Sequence, residues 1–277
     1  MSGPTRFSIG NLRVGSGLFL IAGPCVIESP AHCRFMAQEL KAISSRLKIP
    51  FIFKASFDKA NRTSLSSYRG PGLQKGLSIL KSIRQELGIP VLTDVHDVSQ
   101  IEAVVEAVDC LQIPAFLSRQ TDLLLAAGRS GCAVNVKKGQ FLAPWDMQHV
   151  VEKLTSTGCQ RIILTERGTC FGYNNLVVDM RSLAILRGFG LPVVYDVTHS
   201  LQLPSGQGTS SGGQPQYIEP LARAGVAVGV DGIFMEIHDD PAAALSDGPN
   251  ALLLNRVEPL LRQLIQIDAM VSSQEQS

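Results

Sequence analysis

Short apolar runs ending in a polar or ionisable residue recur eight times along the chain. They are FLIAGPC (19–25), PFIFKAS (50–56), PVLTDVH (90–96), DCLQIPA (109–115), AVNVKKG (133–139), RIILTER (161–167), PVVYDVTH (192–199) and GIFMEIH (232–238). Between them apolar residues return every three or four positions, as at 31–47, 73–87, 145–157, 175–187, 215–228 and 251–271. That spacing predicts amphipathic helices. Strands alternating with helices imply parallel pairing through crossovers. Strands buried on both faces need the continuous apolar character seen here. The pattern predicts an α/β protein, a (β/α)8 TIM barrel spanning 1–277 as one domain. Residues 6–15, RFSIGNLRVG, alternate about Gly10–Asn11. They read as a β-hairpin that closes the barrel's amino-terminal mouth. The tail SSQEQS (272–277) reads as frayed.

In such a barrel the carboxyl ends of the strands carry the chemistry. The tips here are Cys25, Lys54, Asp94 with His96, Gln112, Lys137, Arg167, His199 and Glu236. Cys25, His199 and Glu236 end strands one, seven and eight, which adjoin in a closed barrel. Asp247, in the loop HDDPAAALSDGPN, can fold back beside them. A thiolate, an imidazole and two carboxylates suit a divalent ion such as Zn²⁺, Fe²⁺ or Mn²⁺. His96 and His238 also end strands, so topology does not force the choice of His199. The plain alternative is a buried thiol, a hydrogen-bonded histidine and two solvated acids.

A second group is cationic. Lys54, Lys59, Arg62, Lys137 and Arg167 lie at or just after strands two, five and six. Arginine offers a planar fork to phosphate or carboxylate, lysine a compact charge. Together they suit a multiply charged small molecule, unless they are solvated or paired with Asp58, Glu28 and Glu166. Asn61 and Thr63 add neutral groups suited to sugar hydroxyls. Lys138 follows Lys137 and should face the other side of its strand. Arg119 is a further candidate, or else a helix-start partner of Asp122. Tyr68 and Trp145 read as ordinary packed aromatics. Two connections exceed what a barrel turn needs, 57–72 and 200–213. The second is rich in Gly and Ser and reads as a lid.

Net charge is +1, with 45% hydrophobic and 18% charged residues. That balance argues against broad attraction to nucleic acid or membrane. No apolar run is long enough to span a bilayer and no signal peptide is evident. Six cysteines show no paired spacing, and Cys110, Cys132 and Cys159 read as reduced core thiols. A cytoplasmic setting is expected.

The segments IAGPCVIES, FKASFDKANRTS, LTDVHD, LQIPAFLSRQTDL, VNVKKGQF, ERGTCFGYNNLVVDMRSL, DVTHSLQ and FMEIHDDP…ALSDGP carry a resemblance. In collinear order, from about residue 6 to 265, they resemble the 3-deoxy-D-manno-octulosonate 8-phosphate synthase family. KANR stands where the related heptulosonate synthases usually have KPRT. The resemblance implies a (β/α)8 homotetramer. It also implies condensation of phosphoenolpyruvate with D-arabinose 5-phosphate, releasing phosphate, on the route to the Kdo of lipopolysaccharide. Members with Cys in the first-strand motif are the metal-dependent ones, so Cys25, with His199, Glu236 and Asp247, implies a divalent metal cofactor.

The resemblance further implies that Lys54, Lys59, Lys137 and Arg167 hold phosphoenolpyruvate, with Gln112, Pro114 and Ala115 lining that pocket. Asn61, Arg62 and Thr63 would hold arabinose 5-phosphate. Thr63 stands where Ser is common. Arg119 would reach the sugar phosphate across a subunit boundary. Lys59, Lys137, Asp94 and His199 are the catalytic candidates. A heptulosonate-type synthase using erythrose 4-phosphate and a non-catalytic anion-binding barrel are the rival readings.

Overall fold

The structure, a computed structural model, describes residues 3–62, 64–204 and 212–274. Thr63, much of the expected lid (205–211) and the last three residues lie outside the described residues.

Eight parallel strands form the barrel wall: β1 (Phe19–Gly23), β2 (Phe51–Lys54), β3 (Val91–Asp94), β4 (Cys110–Ile113), β5 (Ala133–Lys137), β6 (Ile162–Glu166), β7 (Val193–Asp196) and β8 (Gly232–His238). Each strand pairs with its neighbours in chain order. The wall closes where β8 pairs with both β7 and β1, with Val194 opposite Gly232 and Gly232 opposite Phe19. Each is followed by a helix: α1 (Pro30–Leu47), α2 (Leu73–Leu87), α3 (Ile101–Val105), α4 (Thr121–Arg129), α5 (Met147–Thr155), α6 (Met180–Arg187), α7 (Ile218–Val228) and α8 (Leu254–Gln274).

Helix ends follow their local chemistry. Ser29 caps α1 by accepting the His32 N–H at 3.1 Å, with Pro30 at the first position. The expected helix at 175–187 starts late. Leu176 and Val177 pair with Cys170 and Thr169 in a small antiparallel sheet, and Asp179 then caps α6 by accepting the Arg181 N–H. Helix α8 runs to Gln274, and the rest of the tail lies outside the described residues.

Successive strand side chains alternate between faces, and this divides the core in two. Outward residues such as Phe51, Phe53, Val134, Leu164 and Tyr195 pack under the helices. Inward residues Phe19, Ile21, Ile52, Leu92, Cys110, Ala133, Ile163, Val194 and Phe234 fill the barrel. Ile9, Leu12 and Val14 belong to that inner cluster. They come from the expected hairpin, Phe7–Ile9 paired with Leu12–Val14, which plugs the amino-terminal end. Two positions further along, the same face turns polar: Lys54, Asp94, Gln112, Asn135, Thr165, Asp196 and Glu236 are all buried. The strand pattern thus places a charged layer directly above a dry one.

Among the described residues no helix is long and apolar enough to cross a membrane. All six cysteines are free. Trp145 departs from the expected packing, being 62% exposed at the start of the α5 segment.

Candidate active site

The tips of β1 and β8 and the loop after β8 form one cluster. Ligand atoms of Cys25, Glu236 and Asp247 lie within 4.8 Å of one another. Cys25 Sγ is 2.7 Å from Ser246 Oγ and donates to Asp247 Oδ2 at 3.2 Å. Asp247 adopts a left-handed backbone, φ +50°, which aspartate tolerates better than most residues. Gly23 lets the chain reach this point, because a Cβ there would overlap the Lys54 carbonyl oxygen. His199, the fourth expected ligand, is not among the three that converge and meets the cluster through Glu236, its Nε2 lying 3.4 Å from Glu236 Oε1.

Charge at this cluster is set by burial and by the cations beside it. Burial pushes the Cys25 thiol well above its ordinary pKa, and the carboxylates of Asp247 and Glu236 push it further. Burial alone would also raise Glu236, but His199, Lys54, Lys59 and Lys137 outweigh it and hold Glu236 well below the usual range. Glu236 is therefore a buried carboxylate, and its Oε2 has no hydrogen-bond partner among the described residues. An orphaned anionic oxygen beside a thiol and a second carboxylate fits a divalent cation.

Asp196, one strand away, orients the imidazole. Its Oδ2 lies 2.7 Å from His199 Nδ1, and its Oδ1 accepts the His199 N–H at 2.9 Å. That bond places a proton on Nδ1 and turns Nε2 toward Glu236. The Lys137 ammonium also donates to Asp196 Oδ2, at 2.6 Å, and sits 3.7 Å over the Phe234 ring. Despite burial, His199 and Lys137 hold Asp196 well below the usual carboxylate range.

A belt of side chains runs round the opposite wall. Thr165 donates to Asn135 at 2.6 Å, Asn135 to Gln112 at 2.9 Å, and Gln112 to Asp94 Oδ1. Ser56 closes it by donating to Asp94 Oδ2 at 2.6 Å. Every arrow ends on Asp94, so the belt needs Asp94 as an anion. Burial opposes this, but Lys54, Lys59, His96 and the Ser56 bond hold its pKa far below the usual range.

The cations divide by how fully they are compensated. Lys54 donates to Glu236 at 3.0 Å and to the Cys25 carbonyl at 2.9 Å, so it serves the thiol–carboxylate cluster as well as the pocket. Lys59 is looser, 3.6 Å from Glu236 and 3.9 Å from Asp94. Arg167 is buried, and among the described residues its guanidinium bonds directly to neutral oxygens, Gln140 Oε1 at 2.8 Å and Gln202 Oε1 at 2.7 Å, with the carboxylates of Asp196, Glu166 and Asp247 acting at longer range. Burial lowers its pKa. Arg62 bonds the Tyr68 carbonyl, lies 3.7 Å from Asp247, and has a buried Nη2 without a partner among the described residues. Unspent positive charge in a dry site is what a bound anion would complete.

The suspected counter-ions are engaged elsewhere. Asp58 pairs with Arg69, Glu28 accepts the Leu245 N–H, and Glu166 pairs with Lys138. Lys138 does face the other side of β5 from Lys137 and is fully buried there, bonded to Leu142 O and Thr169 Oγ1. Ala115 is buried and Pro114 half-buried beside Gln112, while Asn61 and Arg119 are exposed. Among the described residues Arg119 makes no ion pair with Asp122.

Asp196, Ser246, Asn135, Gln140 and Gln202 were not singled out from the sequence. Asp196 had a signal, since stepping by two from Val194 along β7 points it inward. The others hold their neighbours through loop geometry or neutral hydrogen bonds, which periodicity does not display.

The fold is that of a (β/α)8 enzyme, with a cation-lined pocket beside a thiol–carboxylate cluster at the carboxyl face. The model of the DAHP synthetase I family matches residues 6–273. A relative from Syntrophotalea carbinolica, named 2-dehydro-3-deoxyphosphooctonate aldolase, is 62% identical over 99% of this chain and its own full length. Relatives of the same name from Geobacter metallireducens and Geotalea uraniireducens are 58% and 59% identical over 96% of this chain and 98% of theirs. The chain belongs to the DAHP synthetase I family, among its 2-dehydro-3-deoxyphosphooctonate aldolases.

Proposed function

We propose that the carboxyl-face pocket carries out the condensation expected of this family, with the residues above in defined roles. The chain is a synthase that joins phosphoenolpyruvate to D-arabinose 5-phosphate with water, giving 3-deoxy-D-manno-octulosonate 8-phosphate and phosphate for Kdo synthesis. The observation that carries the assignment of roles is the buried guanidinium of Arg167, whose direct hydrogen bonds among the described residues go to two neutral amide oxygens.

Arg167, Lys59 and Lys137 bind the phosphate and carboxylate of phosphoenolpyruvate, with Lys54 nearby. Gln112, Pro114 and Ala115 line that pocket. Arg62 takes arabinose 5-phosphate through its free Nη2, with Asn61 and Thr63 on the sugar. Held there, two mutually repelling anions meet with reacting atoms aligned, and such proximity supplies ~7–11 kcal/mol of a barrier in favourable cases. The enol methylene carbon attacks the aldehyde, water adds at C2, and the hemiketal phosphate collapses with C–O cleavage. Asp94, held as a carboxylate by Lys54 and Lys59, is one candidate proton acceptor. His199 Nε2 is the other proton carrier.

Cys25, His199, Glu236 and Asp247 would hold a divalent ion, Fe²⁺, Zn²⁺ or Mn²⁺, with Asp196 orienting the imidazole. Such an ion, when bound, polarises a carbonyl or lowers the pKa of water. We further propose a cytoplasmic homotetramer in which Arg119 reaches the sugar phosphate of a neighbouring subunit. The exposure of Phe116, Phe141, Trp145 and Phe171 near the ends of β4, β5 and β6 supports an interface on that side.

The test is a substrate comparison. Arg62→Ala should raise KM for arabinose 5-phosphate about 10-fold or more while changing KM for phosphoenolpyruvate little, consistent with one lost charged hydrogen bond of ~1.5–3 kcal/mol. Equal loss of both would place Arg62 elsewhere. Turnover of erythrose 4-phosphate in preference to arabinose 5-phosphate would favour the heptulosonate reading.

A further inference from the structure

We propose that Glu28, His32 and His238 form a second divalent-cation site at the lip of the barrel, with Asp239 as its outer carboxylate. It shares no residue with the Cys25 cluster. Glu28 lies in the loop after β1, His32 in the first turn of α1, and His238 ends β8. A ring nitrogen of each histidine and a Glu28 carboxylate oxygen lie within 4.8 Å of one another.

The hydrogen bonding around the two rings is what points to a ligand. Asp239 Oδ1 lies 2.9 Å from His32 Nε2 and 3.2 Å from His238 Nδ1. One carboxylate oxygen can therefore hold a proton on the far nitrogen of both rings. That leaves His32 Nδ1 and His238 Nε2, and these are the atoms found buried without a hydrogen-bond partner. His238 is only 6% exposed, so water does not compensate it. Its Nε2 is 3.3 Å from Glu28 Oε1. Each orphaned buried nitrogen has lost its water without gaining a partner among the described residues, which is unfavourable. A cation between two imidazole lone pairs and a carboxylate removes both penalties. A carboxylate behind each imidazole is the usual outer support of a histidine ligand.

A competing arrangement exists for His238. The Asp240 N–H lies 3.0 Å from His238 Nδ1, and accepting it puts the ring proton on Nε2, facing Glu28. Cation binding would move that proton to Nδ1, toward Asp239. Two imidazoles and a carboxylate suit Zn²⁺, Mn²⁺ or Co²⁺. Because Glu28 also accepts the Leu245 N–H at 2.8 Å, a cation here would fasten the loop that carries Asp247. Its role is a structural staple between the β1 and β8 loops.

Co²⁺ added to metal-free full-length protein separates the two sites. A thiolate ligand gives Co²⁺ a near-ultraviolet charge-transfer band, whereas a nitrogen–oxygen site gives only visible ligand-field bands. The Cys25→Ala protein should lose the first and still take up an equivalent of Co²⁺. Adding His32→Ala or Glu28→Ala should weaken that residual binding at least 10-fold, and Asp239→Asn should weaken it about 10–100-fold. The proposal is overturned if Cys25→Ala binds no Co²⁺, or if its residual binding is unchanged by His32→Ala and Glu28→Ala. If the unmutated chain shows no thiolate band while the residual equivalent persists, the Cys25 reading fails and this one stands.

Discussion

The two ends of the barrel share eight strands and one backbone geometry, yet they bury opposite kinds of side chain. At the amino end Phe19, Ile52, Leu92, Ile163 and Val194 meet the hairpin's Ile9, Leu12 and Val14 in an apolar cluster. Two residues further along the same face, about 7 Å away, lie Lys54, Asp94, Asn135, Asp196 and Glu236, equally hidden from water. The lower layer stabilises by transfer of apolar surface. The upper layer costs desolvation, which ion pairs and the hydrogen-bonded belt offset only in part. One layer holds the fold together. The other is held by the fold against its own preference.

The largest expected effect comes from breaking the upper layer's pairing. Asp196→Ala strips Lys137 and His199 of their shared carboxylate and should cost ~3–5 kcal/mol in urea unfolding, with turnover lost as well. Breaking the lower layer should look different. Leu12→Ala should cost ~2–5 kcal/mol while KM for both substrates stays as it was. A shifted KM there would erase the distinction between the two ends.

Arg167→Met sharpens the contrast from the other side. Removing a buried cation that has no direct ion pair among the described residues should leave the urea midpoint unchanged or higher, while phosphoenolpyruvate affinity falls by ~1.5–3 kcal/mol or more. The smallest effect is one of slope. Asp94 titrates lower folded than unfolded, so its stabilisation is present above the unfolded pKa near ~4 and fades as pH drops toward the folded value. Asp94→Asn should therefore flatten the loss of stability between about pH 4 and 2, by at most ~1.4 kcal/mol per pH unit.

Much of this architecture was legible because a strand repeats every two residues. Lys137 and Lys138 are neighbours in sequence, and the period alone sends one into the barrel and the other beneath the helices. The apolar bodies and reactive tips of the strands were visible for the same reason, as was the hairpin about Gly10–Asn11. Contacts that depend on loop paths were not. Ser246 reaches Cys25 and Gln202 reaches Arg167 from connections whose course no periodicity encodes. The start of α6 was missed because Leu176 and Val177 pair locally instead of continuing the helix. Trp145 was read as packed, and composition gives no warning that a large aromatic will face outward.

The most direct test supplies phosphoenolpyruvate and arabinose 5-phosphate to the metal-loaded protein and follows phosphate release together with the eight-carbon product. Phosphate and product should appear in equal amounts, and both should fall at least 100-fold in Arg167→Met. Tight phosphoenolpyruvate binding with no phosphate released would contradict the central claim, leaving the pocket an anion site without chemistry.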